Sequence, residues 1–171
     1  MKSRTYKITL SAILTSLSII AFTIENLFPP VFLAGARIGV SNIFILLSTI
    51  LLGISYGYSS LILKILVGSL FSGNIMGIMY SLPAGLISLS VEIVVIFFIK
   101  KTSVISASII GAVLNSTVQN LVFCLVTDTT NYLIYLPYLA LISVISGLIV
   151  GFTVYLLVKY IPNKYFMQKE Y

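Results

Sequence analysis

The sequence predicts an all-α integral membrane protein with six transmembrane helices in a single domain over residues 1–171. Hydrophobic residues make up 59% of the chain and charged residues only 8%, whereas soluble domains carry about 25% charged residues. The charges are also spaced so that five stretches of 17 to 30 residues contain none. A helix needs roughly 20 apolar residues to cross a bilayer. Because the backbone must satisfy its own hydrogen bonds in lipid, we expect these stretches to be helical.

Charges, prolines and glycines set the boundaries of the predicted spans. The first span ends before Glu25, and Pro29 and Pro30 prevent a helix from continuing. We expect the stretch from Glu25 to Arg37 to form an apolar loop that lies in the membrane interface or folds back over the bundle as a cap, with Glu25, Pro29 and Pro30 as lid residues. Glycine and serine cluster at 53–60, which predicts a turn. The six spans are predicted at 8–24, 38–53, 59–71, 75–99, 104–126 and 132–160.

Lysine and arginine residues predict the orientation. They precede the first span, follow the fourth and surround the end of the sixth, so six spans bring all three clusters to one side. The positive-inside rule assigns that side to the cytoplasm. We therefore expect a multi-pass protein of the cell membrane with both termini cytoplasmic. The net charge of +6 then needs no nucleic-acid partner. The residues are Lys2, Arg4, Lys7, Lys100, Lys101, Lys159, Lys164 and Lys169.

The composition excludes several kinds of catalytic chemistry. The chain has no histidine and one cysteine, Cys124, which excludes an imidazole base and a zinc site of the usual ligands. It contains no P-loop motif for ATP. Asp128 is its one aspartate, which argues against a paired-aspartate magnesium clamp for a diphosphate. We expect a protein that binds or moves a small molecule, without catalytic residues, metal or cofactor.

Polar residues at membrane depth are the candidate binding groups. Lys64 lies in the middle of the third span, where a lysine costs roughly 2.5–3.5 kcal/mol. It either binds an anion in a cavity or forms an ion pair with Glu92. Asn115 and Gln119 are four residues apart and therefore share one helix face. The full set of candidate substrate-binding residues is Arg37, Asn42, Lys64, Asn74, Ser81, Asn115 and Gln119.

The charges of this set predict the chemistry of the ligand. Arg37 and Lys64 outnumber Glu25 on the outer and central side, so we expect an anionic or strongly polar substrate.

On the first helix, small residues repeat at spacing four, a pattern that lets helices approach closely. These are Ser11 with Thr15 and Ala12 with Ser16.

Five stretches carry a resemblance to a known family, in order and at compatible spacing. They are Glu25–Pro30, Ala36–Asn42, Lys64–Asn74, Tyr80–Gly85 and Gly111–Gln119. The sequence resembles the Gx transporter family, also called heptaprenyl diphosphate synthase component I, over about residues 5 to 160. That family is related to the substrate-binding S components of energy-coupling factor (ECF) transporters. The chain departs from the family by having Lys64 in place of arginine and Asn115-Ser116 in place of His-Asn.

The resemblance implies a six-helix bundle like that of an S component. Such proteins bind a small molecule under the first loop and dock on a membrane coupling subunit, and paired ATPases supply the energy. Docking would use small residues of the first helix, here Ser11, Ala12, Thr15 and Ser16. The family label leaves an alternative open, a non-catalytic accessory subunit for prenyl diphosphate or quinone synthesis or for electron-transfer assembly.

Overall fold

The computed structural model describes residues 4–27, 39–99, 102–129 and 131–161, and every secondary-structure element in these ranges is a helix. Five of the six α-helices are long and apolar enough to cross a membrane, whereas α2, at 13 residues, is shorter. The structure therefore confirms an all-α membrane protein. The helices are α1 Arg4–Leu27, α2 Val40–Leu52, α3 Ile54–Phe71, α4 Gly77–Phe98, α5 Val104–Thr127 and α6 Leu136–Tyr160, with a 3-10 turn at Asn131–Tyr135 before α6.

Five of the helices surround a common interior. Each of α2 to α5 packs against the next helix in the chain, and α6 returns to α2, while α1 packs against α2 and α3. Leu10 and Leu14 near the start of α1 share an apolar cluster with Val158 near the end of α6. The N-terminus of α1 and the C-terminus of α6 therefore lie at the same end of the bundle, called here the lower end. The upper end is the opposite one.

The expected turn at 53–60 is wrong beyond its first residue. Only Gly53 separates α2 from α3, with φ 113°, a conformation that residues with a Cβ rarely adopt. Helix α3 begins at Ile54 instead of residue 59. The next glycine has a packing role, because a Cβ on Gly57 would overlap the Thr49 hydroxyl of α2. The small residues of this run thus bring two helices together, a role that composition alone does not distinguish from a turn.

The first helix also extends further than the sequence predicted. It continues through Glu25 to Leu27, so Glu25 belongs to a helix and not to a loop. A carboxylate near the end of a helix does not terminate the helix when hydrogen-bond donors compensate its charge. The start of α2 supplies such donors to Glu25, as described below. The other expected lid residues, Pro29 and Pro30, lie outside the described residues, as does Arg37.

Close approach of α5 and α6 depends on two glycines. A Cβ on Gly147 would lie 2.6 Å from the Ile109 Cα, and one on Gly151 would lie 2.7 Å from the Ile105 Cα. Real Cβ atoms do not tolerate such distances to backbone, so only glycine fits at either position. The G-x-x-x-G pair of the sequence is therefore an internal helix–helix contact.

The lower half of the bundle interior is filled by apolar side chains. A compact set from α2, α4, α5 and α6 is at most 7% exposed. These apolar side chains close the interior toward the lower end. This floor cluster consists of Leu46, Ile50, Val95, Ile96, Ala107, Val150 and Val154.

Candidate functional site

A polar recess occupies the upper part of the bundle interior, above the floor cluster. It leaves about 60 Å³ in which the centre of a water molecule can lie. A single water needs roughly 10–15 Å³ on this measure, so the recess has room for about five waters or a compact polar molecule. All six helices contribute to its wall. More than half of its described lining residues are polar, namely Glu25, Ser41, Asn42, Lys64, Ser81, Ser88, Glu92, Asn115, Ser116, Gln119, Ser143 and Ser146.

Helices α4 and α5 supply the longest parts of the wall. Their lining residues recur every three or four positions, so each helix presents one face to the recess. At a rise of 1.5 Å per residue, the α4 part from Ser81 to Glu92 extends roughly 16 Å along the bundle. The α4 face consists of Ser81, Gly85, Ser88, Leu89 and Glu92, and the α5 face of Gly111, Ala112, Asn115, Ser116 and Gln119.

Lys64 is 5% exposed and lies in the recess wall. Its ammonium donates a 2.7 Å hydrogen bond to Oδ1 of Asn42 and lies 5.4 Å from the centre of the Phe22 ring. The ring fits there because position 68 is glycine, whose missing Cβ would otherwise press against it. A hydrogen-bond acceptor and an aromatic face both stabilise a buried ammonium. Lys64 therefore has a built environment.

Glu25 caps the start of α2 at the upper rim of the recess. Its carboxylate accepts hydrogen bonds from the Val40 N–H and, at 3.1 Å, from the Ser41 hydroxyl. The free N–H groups and the dipole of a helix start favour a carboxylate at this place. Most of the negative charge of Glu25 is thereby compensated by α2.

Glu92 lies near the lower limit of the recess, with its carboxylate beside Gly111 of α5. Val95 and Ile96 of the floor cluster follow it on α4. Lys64 attracts this carboxylate across the recess. Within the described parts of the chain, this attraction is not accompanied by a hydrogen bond to the carboxylate. Unlike Glu25, which meets donors at the start of α2, Glu92 meets its positive neighbour across the recess.

The amides of α5 lie where the sequence predicted them, on one face toward the interior. Gln119 donates a 3.4 Å hydrogen bond to the Ser81 hydroxyl of α4. Asn115, one turn closer to Glu92, also lines the recess, and no group in the described ranges hydrogen-bonds to its amide. Asn115 can therefore donate to and accept from a ligand.

Five of the seven residues predicted to bind substrate line this recess together. They are Asn42, Lys64, Ser81, Asn115 and Gln119. Asn74 does not line it. It accepts a 2.9 Å hydrogen bond from the Gly77 N–H and donates a 3.2 Å bond to the Tyr80 hydroxyl, so it shapes the connection between α3 and α4. Arg37 lies outside the described residues.

The small residues of α1 divide between two faces. Thr15 is buried, and its hydroxyl hydrogen-bonds to Ser60 of α3 at 2.7 Å. Ser11, on the same face, is half-buried. Ala12 and Ser16 are exposed on the outside of the bundle, where the Ser16 hydroxyl donates to the Ala12 carbonyl. Of the two predicted pairs, only Ala12 and Ser16 are both open to a partner.

Sequence reasoning assigned no binding role to Glu92 and overlooked the α6 serines. Glu92 was expected in a structural pair; it lines the recess, where Lys64 attracts it, and Lys100 and Lys101 lie outside the described residues. Ser143 and Ser146 of α6 also line it, and Ser143 contacts Ser116 across the helix interface. Their spacing of three matches a single helix face. That spacing could have indicated that both serines face the interior. It is weak evidence, because serines are common in membrane helices.

Comparison with known proteins gives one finding. The family described as heptaprenyl diphosphate synthase component I matches residues 14–157. A comparison with curated proteins gave no match, and neither did one with solved structures. The matched range begins inside α1, ends inside α6 and includes every described residue that lines the recess.

Proposed function

The chain belongs to the heptaprenyl diphosphate synthase component I family, and from this premise we propose that it is the substrate-binding membrane subunit of an uptake system. It acts like the S component of an ECF transporter. The ligand is a small polar molecule bound in the recess. The single observation that carries this proposal is the recess itself, because polar groups at membrane depth are costly and mark binding sites or pathways.

The shape of the recess supports binding over catalysis. It begins at the upper rim beside Glu25 and ends at the floor cluster, so a ligand enters and leaves by the same end while this conformation lasts. Release on the opposite side requires the bundle or its orientation to change. The chain has no P-loop of its own, so we assign the energy for that change to a separate ATPase module.

The distribution of positive charge supports one orientation. Arg4, Lys7 and Lys159 lie near the lower end of the bundle, and in the sequence further lysines follow the last described residues after α4 and α6. By the positive-inside rule, the lower end faces the cytoplasm and the recess faces outward. Both termini are then cytoplasmic, in the cell membrane. This orientation suits the capture of an external solute.

The exposed pair Ala12 and Ser16 supplies a surface for a coupling subunit. Both residues are small and lie on the outer face of α1, which is free of other helices on that side. Small residues permit close contact between membrane helices. The buried face of the same helix, with Thr15, holds α1 to α3.

Native mass spectrometry of the full chain in detergent tests the proposal. We expect the purified protein to retain a small molecule, and we expect Asn115→Leu to lose it. The matched control is Asn120→Leu, the same change on the same helix at a buried residue that does not line the recess. Equal occupancy of the two variants, or no retained molecule under conditions that preserve the fold, contradicts binding in the recess.

The family description favours one alternative, a non-catalytic accessory subunit for prenyl diphosphate or quinone synthesis or for electron-transfer assembly. Affinity purification from native membranes separates the two. Recovery of a coupling subunit with ATPases supports uptake. Recovery of a soluble prenyl synthase or of an electron-transfer subunit without them supports the accessory role.

A further inference from the structure

We propose that the ligand carries a cationic amine and that Glu92 is the group that binds it. This inference rests on the proposed function and names its substrate class. From sequence, Arg37 and Lys64 outnumbered Glu25, which favoured an anion. The structure adds Glu92 to the recess. The described charges that line it are therefore two carboxylates and one ammonium.

The three charges differ in how far the protein compensates them. The Glu25 carboxylate accepts from the Val40 N–H and the Ser41 hydroxyl at the start of α2. The Lys64 ammonium donates to Asn42 and faces the Phe22 ring. The Glu92 carboxylate has no hydrogen bond to a described residue, and its positive neighbour, Lys64, attracts it from across the recess. Of the three, only Glu92 leaves its whole hydrogen-bonding capacity to a ligand.

The position of Glu92 makes the missing partner costly. It lies on α4 one turn above Val95 and Ile96 of the floor cluster, with α5 at Gly111 against its side chain. A carboxyl group removed from bulk water stays ionised only if a charge partner or several donors stabilise it. An alkylammonium group supplies both, because it carries a positive charge and up to three N–H donors. Such N⁺–H···O⁻ bonds are about twice as strong as neutral ones.

Asn115 extends the amine site upward. It lies one helical turn above Gly111 on the recess face of α5, and its amide is unpartnered within the described ranges. Its side-chain oxygen can accept a second N–H from the same ammonium, or its NH₂ can donate to a polar group further along the ligand. The limited volume of the recess favours a compact amine, with any carboxylate toward Lys64.

Three probes of equal chain length test the inference, namely butylammonium, 4-aminobutyrate and butyrate. Each is added at 1–50 mM to the full chain in detergent, and thermal unfolding gives its dissociation constant. We expect butylammonium and 4-aminobutyrate to raise the unfolding temperature and butyrate to leave it unchanged. Glu92→Gln should weaken butylammonium binding about tenfold or more, since one charge-assisted contact is worth at least that factor.

Matched variants distinguish a local contact from general loss of charge. Asp128→Asn removes one negative charge from an exposed residue at the end of α5, outside the recess, and should bind butylammonium like the parent. Lys64→Gln keeps a donor for Asn42 but removes the competing positive charge, so it should tighten butylammonium binding. This second variant tests the inference even if Glu92→Gln does not fold.

The outcomes distinguish failure of the amine site from failure of the proposed function. Stabilisation by butyrate alone overturns the amine site and leaves a substrate-binding recess in place. Equal butylammonium affinity of the parent and Glu92→Gln also overturns it, as does weaker binding by Lys64→Gln. No stabilisation by any of the three probes, together with no retained molecule in native mass spectrometry, contradicts both the inference and the proposed function.

Discussion

The Lys64 ammonium donates a 2.7 Å hydrogen bond to the side-chain oxygen of Asn42, which joins α3 to α2 in the wall of the recess. The lysine is 5% exposed, and Phe22 of α1 covers it with an aromatic ring. Three helices thus meet around one buried positive charge. Removing one partner of a buried charge is strongly destabilising, because the other is left without compensation. The contact therefore stabilises the bundle as well as shaping the site.

Replacement of Asn42 by leucine should lower the stability of the bundle. The change keeps the approximate volume but removes the acceptor of the Lys64 hydrogen bond, and a bond to a charged group contributes about 1.5–3 kcal/mol. Thermal unfolding in detergent measures the loss. Asn131→Leu, at an exposed residue of the 3-10 turn, is the control and should change little. Equal unfolding temperatures of the two variants would show that the contact is not required.

Replacement of Gly147 by alanine should separate α5 from α6. The added Cβ would lie 2.6 Å from the Ile109 Cα and 2.9 Å from the Ser108 carbonyl oxygen, and neither backbone atom can move without moving its helix. Overpacking of this kind costs about 1–3 kcal/mol. Thermal unfolding should show the loss together with weaker binding in the recess, since both helices line it.

Gly85→Ala is the matched control for that experiment. Its Cβ would lie 3.1 Å from the Leu61 side chain and 3.2 Å from that of Ile65, and both contacts are with side-chain ends that can rotate. The loss in stability should therefore be smaller than for Gly147→Ala. The reverse order would mean that the α5–α6 contact does not limit stability.

Composition and charge spacing predicted the class of the fold because lipid imposes strict requirements on a helix. Long uncharged stretches, prolines and lysines were sufficient to place five of the six helices to within a few residues. The boundary of α3 was missed because Gly57 packs against Thr49. A glycine that permits helix contact has the same local sequence as one that permits a turn. The end of α1 was missed for a similar reason, since the α2 start that receives Glu25 is distant in sequence.

The site was predictable where residues share a helix face, and not where several helices meet. Spacing correctly grouped Asn115 with Gln119. It gave no means of knowing that Asn42 would receive the Lys64 hydrogen bond, leaving Glu92 without it. Which residue accepts the Lys64 hydrogen bond depends on how α2, α3 and α4 pack, and a single sequence does not contain that information. The expected sign of the ligand charge depended on the same missing information.

Bulky substitutions on the outer face of α1 should disrupt partner binding without affecting the fold. Ala12→Leu combined with Ser16→Leu places two large side chains where both residues are exposed, so the unfolding temperature should stay constant. Recovery of a coupling subunit in affinity purification from native membranes should fall several-fold, because close helix contact requires small residues. Unchanged recovery would exclude this face as the docking surface.

Thr15→Leu is the contrasting variant on the inner face of the same helix. It removes the buried hydrogen bond to Ser60 and adds volume where α1 meets α3. We expect a loss of about 1–3 kcal/mol in stability, as for other overpacked interiors. A stable Thr15→Leu protein with reduced partner recovery would reverse the assignment of the two faces.

Gly111→Ala should disturb ligand binding through Glu92. An added Cβ would overlap both Cγ and the carboxylate of Glu92, so the whole side chain must move away from α5. Alanine is favoured over glycine within a helix by about 1 kcal/mol, which offsets part of the cost of moving that side chain. Butylammonium binding should nevertheless weaken about tenfold, the factor expected for one displaced charge-assisted contact.

The double variant of Gly111→Ala with Glu92→Gln decides the cause, since the effects of two residues that act through one contact are not additive. If alanine acts by moving the carboxylate, it should add nothing to the loss caused by Glu92→Gln. Full additivity would mean that Gly111 affects binding independently of Glu92.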